Sequence, residues 1–420
     1  MTDPLVRTRE EGTPTAALGF RQWEAVQATG PLGDAPGWTR VRDAEAQDAL
    51  VFTGVDSVPL LVPRMTLHRY PWPVVHAGRW PDPTRADQRF LDLATEPYRR
   101  DGARGWTVLR AAAMQGRSVV ERSWIFTGEA GVTLVRMRCP AELHLDMEVL
   151  SDSVVAAAPG ISTSDQTHVI AHAPGGTRPL PGSVEVSPAG LSALLAAAGT
   201  DRPEALGLPP AEQKRLESAG LLDSDGALTR AGRWWARTHI LAPRRWVLRR
   251  EHPGASTHVL EMAVTGSGAA VHLANGAARW IGLTHLSRLP EFAARFVGIA
   301  PAPHRDLQVP IPEDAVRRRL SGDPQAEPPA DGSTQFQRLW DDVWTRWVMA
   351  GSPNAPAGHG EPTSARQFIG TLHHGHFQLR PSAGDVPGSS RQMTLEAVPS
   401  SEVFALFCRE MLGAGRIPQR

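Results

Sequence analysis

Three histidines fall within four positions in the run "LHHGHF": His373, His374 and His376, with His359 a little upstream. Neutral imidazoles suit zinc, nickel or copper. A hairpin turning at Gly375 would let His373 and His376 meet, and these two are the candidate metal ligands. No carboxylate lies at a matching spacing to complete a facial set, and the plainer alternative is histidines at the surface beside a polar turn.

Most other site chemistry is excluded by residue type. Lys214 is the sole lysine of the 420 residues, so no G-x-x-x-x-G-K-[ST] phosphate loop exists. There is no G-x-S-x-G nucleophile elbow and no H-E-x-x-H. "TGSGAA" at 265 to 270 is a glycine turn without the helix a phosphate loop needs. "DSDG" at 223 to 226 starts like a calcium loop but misses the later acidic ligands. No catalytic residue, no cofactor-binding residue and no cofactor are therefore expected, and the chain reads as non-enzymatic.

A different function is suggested by "LESAGLLDSDGALTRAGRWWARTHILAP", residues 216 to 243, preceded by Lys214 and Arg215. Helix, short strand, turn, short strand, helix is the pattern of a winged-helix DNA reader. Against it, Glu212 and Glu217 share the helix with the two cations. Basic and acidic residues also balance at 44 each, without the excess that phosphate binding favours. Trp234 and Trp235 then read as core and interface residues.

The elements that must position these residues fall into two parts, divided at "HAPGGTRPLPGS" (172 to 183), where proline and glycine break every periodicity. In the N-terminal part, "ALVFTGV" and "SVPLLVPRMTLHRY" predict strands. "TRADQRFLDLATEPYRR" predicts an amphipathic helix capped by Thr84, with Phe90, Leu91 and Leu93 apolar. "WTVLRAAAM", "RSVVERSWIFTG", "GVTLVRMRCP" and "AELHLDMEVL" predict antiparallel strands, closed by a helix around "LSDSVVAAA". This order resembles the PsbP-like fold, including the LpqN-like family, over residues 15 to 158.

In the C-terminal part, Ser187 caps a helix opened by Pro188, and two further helices end before Pro243. Period two then takes over in "RRWVLRRE", "STHVLEMAV", "AAVHLAN" and "ARWIGLTHL", separated by "HPGA", "TGSG" and Asn275-Gly276, which predicts a four-stranded meander. The helix "SRLPEFAARFVG" closes it. A looser copy follows: the helix "STQFQRLWDDVWTRWVMAG", strands "ARQFIGTLH", "HFQLRP" and "RQMTLEAVP", and the helix "SSEVFALFCREMLG". Two such units predict a pseudo-twofold domain.

The runs from Leu216 through that meander, and from "ARQFIGTLHHGHFQLR" to "SSEVFALFCREML", resemble the EspG family of cytosolic chaperones of type VII (ESX) secretion in actinobacteria. The resemblance implies a quasi-twofold α+β fold and a protein partner. The expected architecture is α+β: residues 1–175 as a PsbP-like domain with an antiparallel sheet and packed helices, then 184–420 as an EspG-like domain with subunits at about 184–300 and 333–413. The expected function is capture of a helical-hairpin secretion substrate by a cytoplasmic, non-enzymatic adaptor. A winged-helix regulator using residues 187–241, or a small-ligand or metal-binding protein, are the alternatives. The polar start "MTDPLVRTREEGTP" and the short apolar runs predict neither a signal peptide nor a membrane partner.

Overall fold

A computed structural model describes Leu32 and residues 37–53, 62–71, 90–156, 182–199, 205–302, 307–352, 365–382 and 391–413, with gaps of one to three residues in loops. The chain forms two compact units. The first comprises Met1–His172, Ala300–Pro303 and Ser400–Arg420; the second comprises Ala173–Ile299 and His304–Pro399. Both are built on antiparallel sheets.

The first unit has strands β1 (Trp38–Arg40), β2 (Asp48–Phe52), β3 (Arg64–Pro71), β4 (Phe90–Arg100), β5 (Ala103–Met114), β6 (Arg117–Gly128) and β7 (Gly131–Pro140), in the spatial order β1-β2-β3-β7-β6-β5-β4. Helix α1 (His144–Ala156) lies on β7, and a helix at Ser400–Leu412 lies on β4 and α1. The expected placement of that last helix with the C-terminal part thus gives way to a discontinuous N-terminal unit. Its Val403, Phe404, Phe407, Cys408 and Met411 are all buried, and Ser401 Oγ donates to the Glu96 carboxylate of β4 at 2.6 and 2.7 Å. Burial is what holds it there, at roughly 2 kcal/mol for each large apolar side chain.

A row of charge crosses this sheet. Asp92, Arg110, Glu121, Arg138 and Arg64 occupy directly paired positions on β4, β5, β6, β7 and β3. Arg110 meets Asp92 at 2.7 Å and Arg138 meets Glu121 at 2.5 Å, while Arg64 pairs with Asp43. Glu121 and Arg110 are buried, and partners of opposite charge offset the cost of removing each from water.

Two expectations fail here. In the segment predicted as an amphipathic helix, Phe90–Arg100 is β4, and residues 84–89, Thr84 among them, lie outside the described residues. Pro97 cannot continue a helix, and a register shift between Asp92 and Ala94 breaks the strand alternation so that the apolar spacing imitates a helix. "AELHLDMEVL" is not a strand: Pro140 ends β7, and Leu143, Met147, Ser151 and Val154 recur at helical spacing and are buried.

The second unit runs β8 (Val184–Val186), α2 (Pro188–Ala197), α3 (Pro210–Ser218), α4 (Arg230–Leu241), β9 (Arg244–Glu251), β10 (His258–Thr265), β11 (Gly268–Asn275), β12 (Ala278–His285) and α5 (Leu289–Val297). It continues with β13 (Gln308–Pro312), α6 (Glu313–Leu320), α7 (Thr334–Trp340), β14 (Trp344–Ser352), β15 (Ala365–Thr371), β16 (Gly375–Pro381) and β17 (Gln392–Val398). Ten strands form one sheet in the order β13-β17-β16-β15-β14-β9-β10-β11-β12-β8.

Each half is an edge strand, helices and a meander whose fourth strand returns to pair with the edge strand: β8 with β12, and β13 with β17. The halves join through β9 and β14, where Leu248 and Met349 are direct partners. About that pair Trp246 corresponds to Trp347, and both are buried. The second half begins with β13 at Gln308, earlier than the position expected near 333. The prolines flanking β13's Ile311 disguise it, as prolines fit only an edge strand.

Local chemistry sets the helix boundaries. Ser187, Thr229 and Ser333 accept from the backbone N–H of Gly190, Gly232 and Phe336, capping α2, α4 and α7. Gly232 is required by contact: a Cβ there would lie 2.1 Å from the Leu221 carbonyl oxygen.

Candidate functional site

The "LHHGHF" run is split by the turn between β15 and β16. Thr371 pairs with Gly375, whose φ of +83° suits glycine, so His373 and His374 lie in the turn and His376 lies on β16. His373 projects to solvent with 69 % of its side chain exposed. His376 is buried, its ring edge-on to Trp347. Burial, assisted by the nearby Arg250, lowers its pKa to about 4. The two candidate ligands therefore face different surroundings. His359 lies outside the described residues.

What joins the turn is Asp342, just ahead of β14. Its carboxylate accepts from the His373 backbone N–H at 2.8 Å and the Val343 N–H at 2.8 Å, and meets His373 Nδ1 at 3.1 Å and His374 Nδ1 at 2.7 Å. Burial alone would raise its pKa, but the hydrogen bonds from His374, His373 and Val343 together hold it below the ordinary carboxylate range. A carboxylate absent from the local sequence thus comes from 31 residues away, and here it fastens a turn.

The residues proposed to contact DNA are also placed. Lys214 and Arg215 are exposed on α3. The wing is reduced to a single bridge between Leu222 and Leu228. Asp223 Oδ1 accepts from the backbone of Asp225 and Ala227, so "DSDG" is a turn stabilised by its own first residue. Helix α4 lies on β10 and β11 with Trp235, Ala236, Thr238 and His239 buried.

Beneath α4 lies a second constellation. Glu261 of β10 and His272 of β11 are direct cross-strand partners, and His239 descends from the last turn of α4. Glu261 Oε2 stands 3.5 Å from His239 Nε2 and 3.5 Å from His272 Nδ1. Each of the three residues offers one ligand atom, all within 4.8 Å of one another. The His239 ring stacks on Trp235, centroids 5.2 Å apart and planes 8° apart. Trp235 in turn donates from Nε1 to the Val271 carbonyl next to His272, and Arg245 grips the His239 carbonyl at the helix end. Burial lowers the His239 pKa to about 4, against the opposing pull of Glu261. The His272 hydrogen bond, outweighing burial together with nearby His239 and Arg245, holds Glu261 below the usual range. The trio therefore presents a neutral imidazole beside a charged carboxylate.

The signal for this site was in the quoted strands. A two-residue turn after Thr265 fixes the register of "STHVLEMAV" on "AAVHLAN" and sets Glu261 opposite His272. The contribution of His239 required knowing that α4 covers that face.

No family model matches the chain, and no curated protein does. Among solved structures, the chain is similar to the Mycobacterium tuberculosis type VII secretion chaperone EspG5, solved in complex with a PE25–PPE41 dimer: 10% identity, 55% of this chain and 95% of that one covered, TM-score 0.34. It is similar to LpqN of Mycobacterium tuberculosis, involved in cell envelope biogenesis, at 14% identity over 31% and 79% of the two chains, TM-score 0.22. A Bacteroides thetaiotaomicron protein matches at 9% identity over 60% and 86%, TM-score 0.21. Among the described residues no helix is long and apolar enough to cross a membrane.

Proposed function

We propose that the chain is a non-enzymatic adaptor or chaperone of the cytoplasm that captures a helical-hairpin substrate of type VII secretion. One observation carries the reading. Apart from the helix at Ser400–Leu412, the runs that resemble the EspG family lie in two equivalent strand–helix–meander halves, joined at Leu248 and Met349 into one ten-stranded sheet, as the quasi-twofold resemblance implies. Large exposed apolar side chains within this unit include Leu241 and Val343, each just ahead of the strand that joins the halves. Such positions suit the apolar stripe of an amphipathic helix.

The test is co-expression of the full chain with helical-hairpin proteins encoded beside it. A complex that co-purifies and survives high salt is expected, because an apolar interface is indifferent to screening and a phosphate-driven one is not. Failure of every such partner to bind, with a salt-sensitive gel shift on DNA lost in Lys214→Glu with Arg215→Glu, would replace this reading by the winged-helix one.

A further inference from the structure

We infer that His239, Glu261 and His272 form a binding site for a zinc-type divalent cation, in the three-ligand arrangement that leaves a fourth position for water or another donor. The inference stands on the geometry of unit two and does not depend on the adaptor reading.

Three observations carry it. The first is distance. Both nitrogen-to-carboxylate separations are 3.5 Å, so the hydrogen bond between His272 and Glu261 is a long one, outside the 2.7–3.2 Å of a good hydrogen bond. A tetrahedron with bonds of about 2.0–2.1 Å has edges of about 3.3–3.4 Å, so each imidazole nitrogen stands close to one such edge from the carboxylate oxygen, with all three donor atoms within 4.8 Å of one another.

The second is the state of the buried groups. His239 and His272 are both buried. Their remaining nitrogens, His239 Nδ1 and His272 Nε2, make no hydrogen bond within the protein. A neutral imidazole that gives one nitrogen's lone pair to an ion keeps its proton on the other, so the nitrogens facing Glu261 are the ones the two rings have to offer. Glu261, with 29 % of its side chain exposed, gives the ion a path in from solvent.

The third is internal symmetry. By strand register the equivalents of Glu261 and His272 in the other half are Gln367 and Leu379. In place of His239 stacked on Trp235 stands Trp340, tilted against Phe336. The fold fills this place with tryptophan, glutamine and leucine when it has only to be filled. At these equivalent positions two imidazoles and a carboxylate converge in the first half and not in the second, which separates them from the needs of packing.

The experiment uses the full chain without a histidine tag, after exposure to a chelator and removal of it. Titration with zinc against a chromophoric competitor should give one tight site per chain. Cobalt(II) in its place should give the intense visible bands of a tetrahedral ion. Glu261→Gln and His272→Leu, which copy the other half and so should stay folded, are expected to weaken zinc at least tenfold and abolish the cobalt bands. His373→Ala with His374→Ala should change neither. No binding, an octahedral cobalt spectrum, or affinity unchanged in folded Glu261→Gln and His272→Leu overturns the proposal. Loss in His373→Ala with His374→Ala moves the ion to the Asp342 turn and overturns it equally. Should either trio variant misfold, the cobalt spectrum of the unaltered chain decides alone.

Discussion

Asp342 concentrates more polar contacts than any other side chain of its turn. It receives hydrogen bonds from two backbone amides and lies within bonding distance of two imidazoles, and its side chain is 2 % exposed. Removing it leaves those donors to find water at the rim of a buried site. Asp342→Ala should therefore cost about 3 kcal/mol, a value built from charged hydrogen bonds of roughly 1.5–3 kcal/mol each, partly recovered by solvent. Chemical denaturation of the variant measures it, and a loss below about 1 kcal/mol would show that the turn holds itself.

Buried histidines make acid the natural stress. Burial, with Arg122 adding to it, depresses the His144 pKa to about 3, and His376 lies at about 4 for the related reason. Each binds its proton near pH 6.5 once unfolded. The unfolded chain thus takes up more protons than the folded one between those values, and stability must fall as pH falls from about 6.5 toward 4. The slope is at most about 1.4 kcal/mol per pH unit for each histidine. Replacing His144 by Gln should flatten the pH dependence of unfolding of the first unit, and His376 by Gln that of the second. A slope unaltered in both variants would assign the acid sensitivity to other groups.

At the scale of elements, the cap of α2 offers a sharp case. Ser187 accepts from the Gly190 N–H, while its own N–H and hydroxyl donate to Glu212 of α3 at 2.6 and 3.0 Å. One serine therefore caps a helix and ties it to the next. Ser187→Ala should cost about 1 kcal/mol as a cap. Glu212→Ala should cost more, because it removes two hydrogen bonds to a buried carboxylate and leaves the half-buried Ser187 N–H without its acceptor. Equal effects of the two would mean that the capping bond alone matters.

Ser187, Pro188 and the period-two meander were legible because their signals are local: a cap, a fixed φ and a two-residue alternation. Strand β4 was not, because its bulge at Asp92 and Ala94 destroys the alternation by which a strand is read. Strand β13 was hidden by its prolines, which only its place at the sheet edge makes tolerable. At the candidate sites the histidines of "LHHGHF" were visible as a cluster in sequence, but a hairpin sends His373 and His376 to opposite environments. Asp342, and the meeting of His239 with Glu261 and His272, come from segments tens of residues apart and depend on which helix covers which face.

At the scale of the whole molecule, the chain leaves the first unit after His172, touches it again at Ala300–Pro303 and completes it with Ser400–Leu412. Residues 182–399 hold the complete ten-stranded sheet, so that fragment should unfold in one cooperative step. The fragment 182–420 should be less soluble, since it carries the apolar face of the last helix without β4 and α1. The fragment 1–172 should bind a synthetic peptide of residues 400–413 and gain stability from it. Calorimetry and size-exclusion chromatography check all three. A stable 1–172 that ignores the peptide would show that the last helix is dispensable.

That return of the chain also sets a clock. At roughly 5–20 residues per second of synthesis, about 260 residues separate the end of β7 from the helix that covers β4. The first sheet therefore waits for roughly 13 to 52 seconds with β4 lacking the helix that packs on it, while the ten-stranded unit emerges and closes. The order of completion thus reverses the order of translation: the unit begun first is finished last.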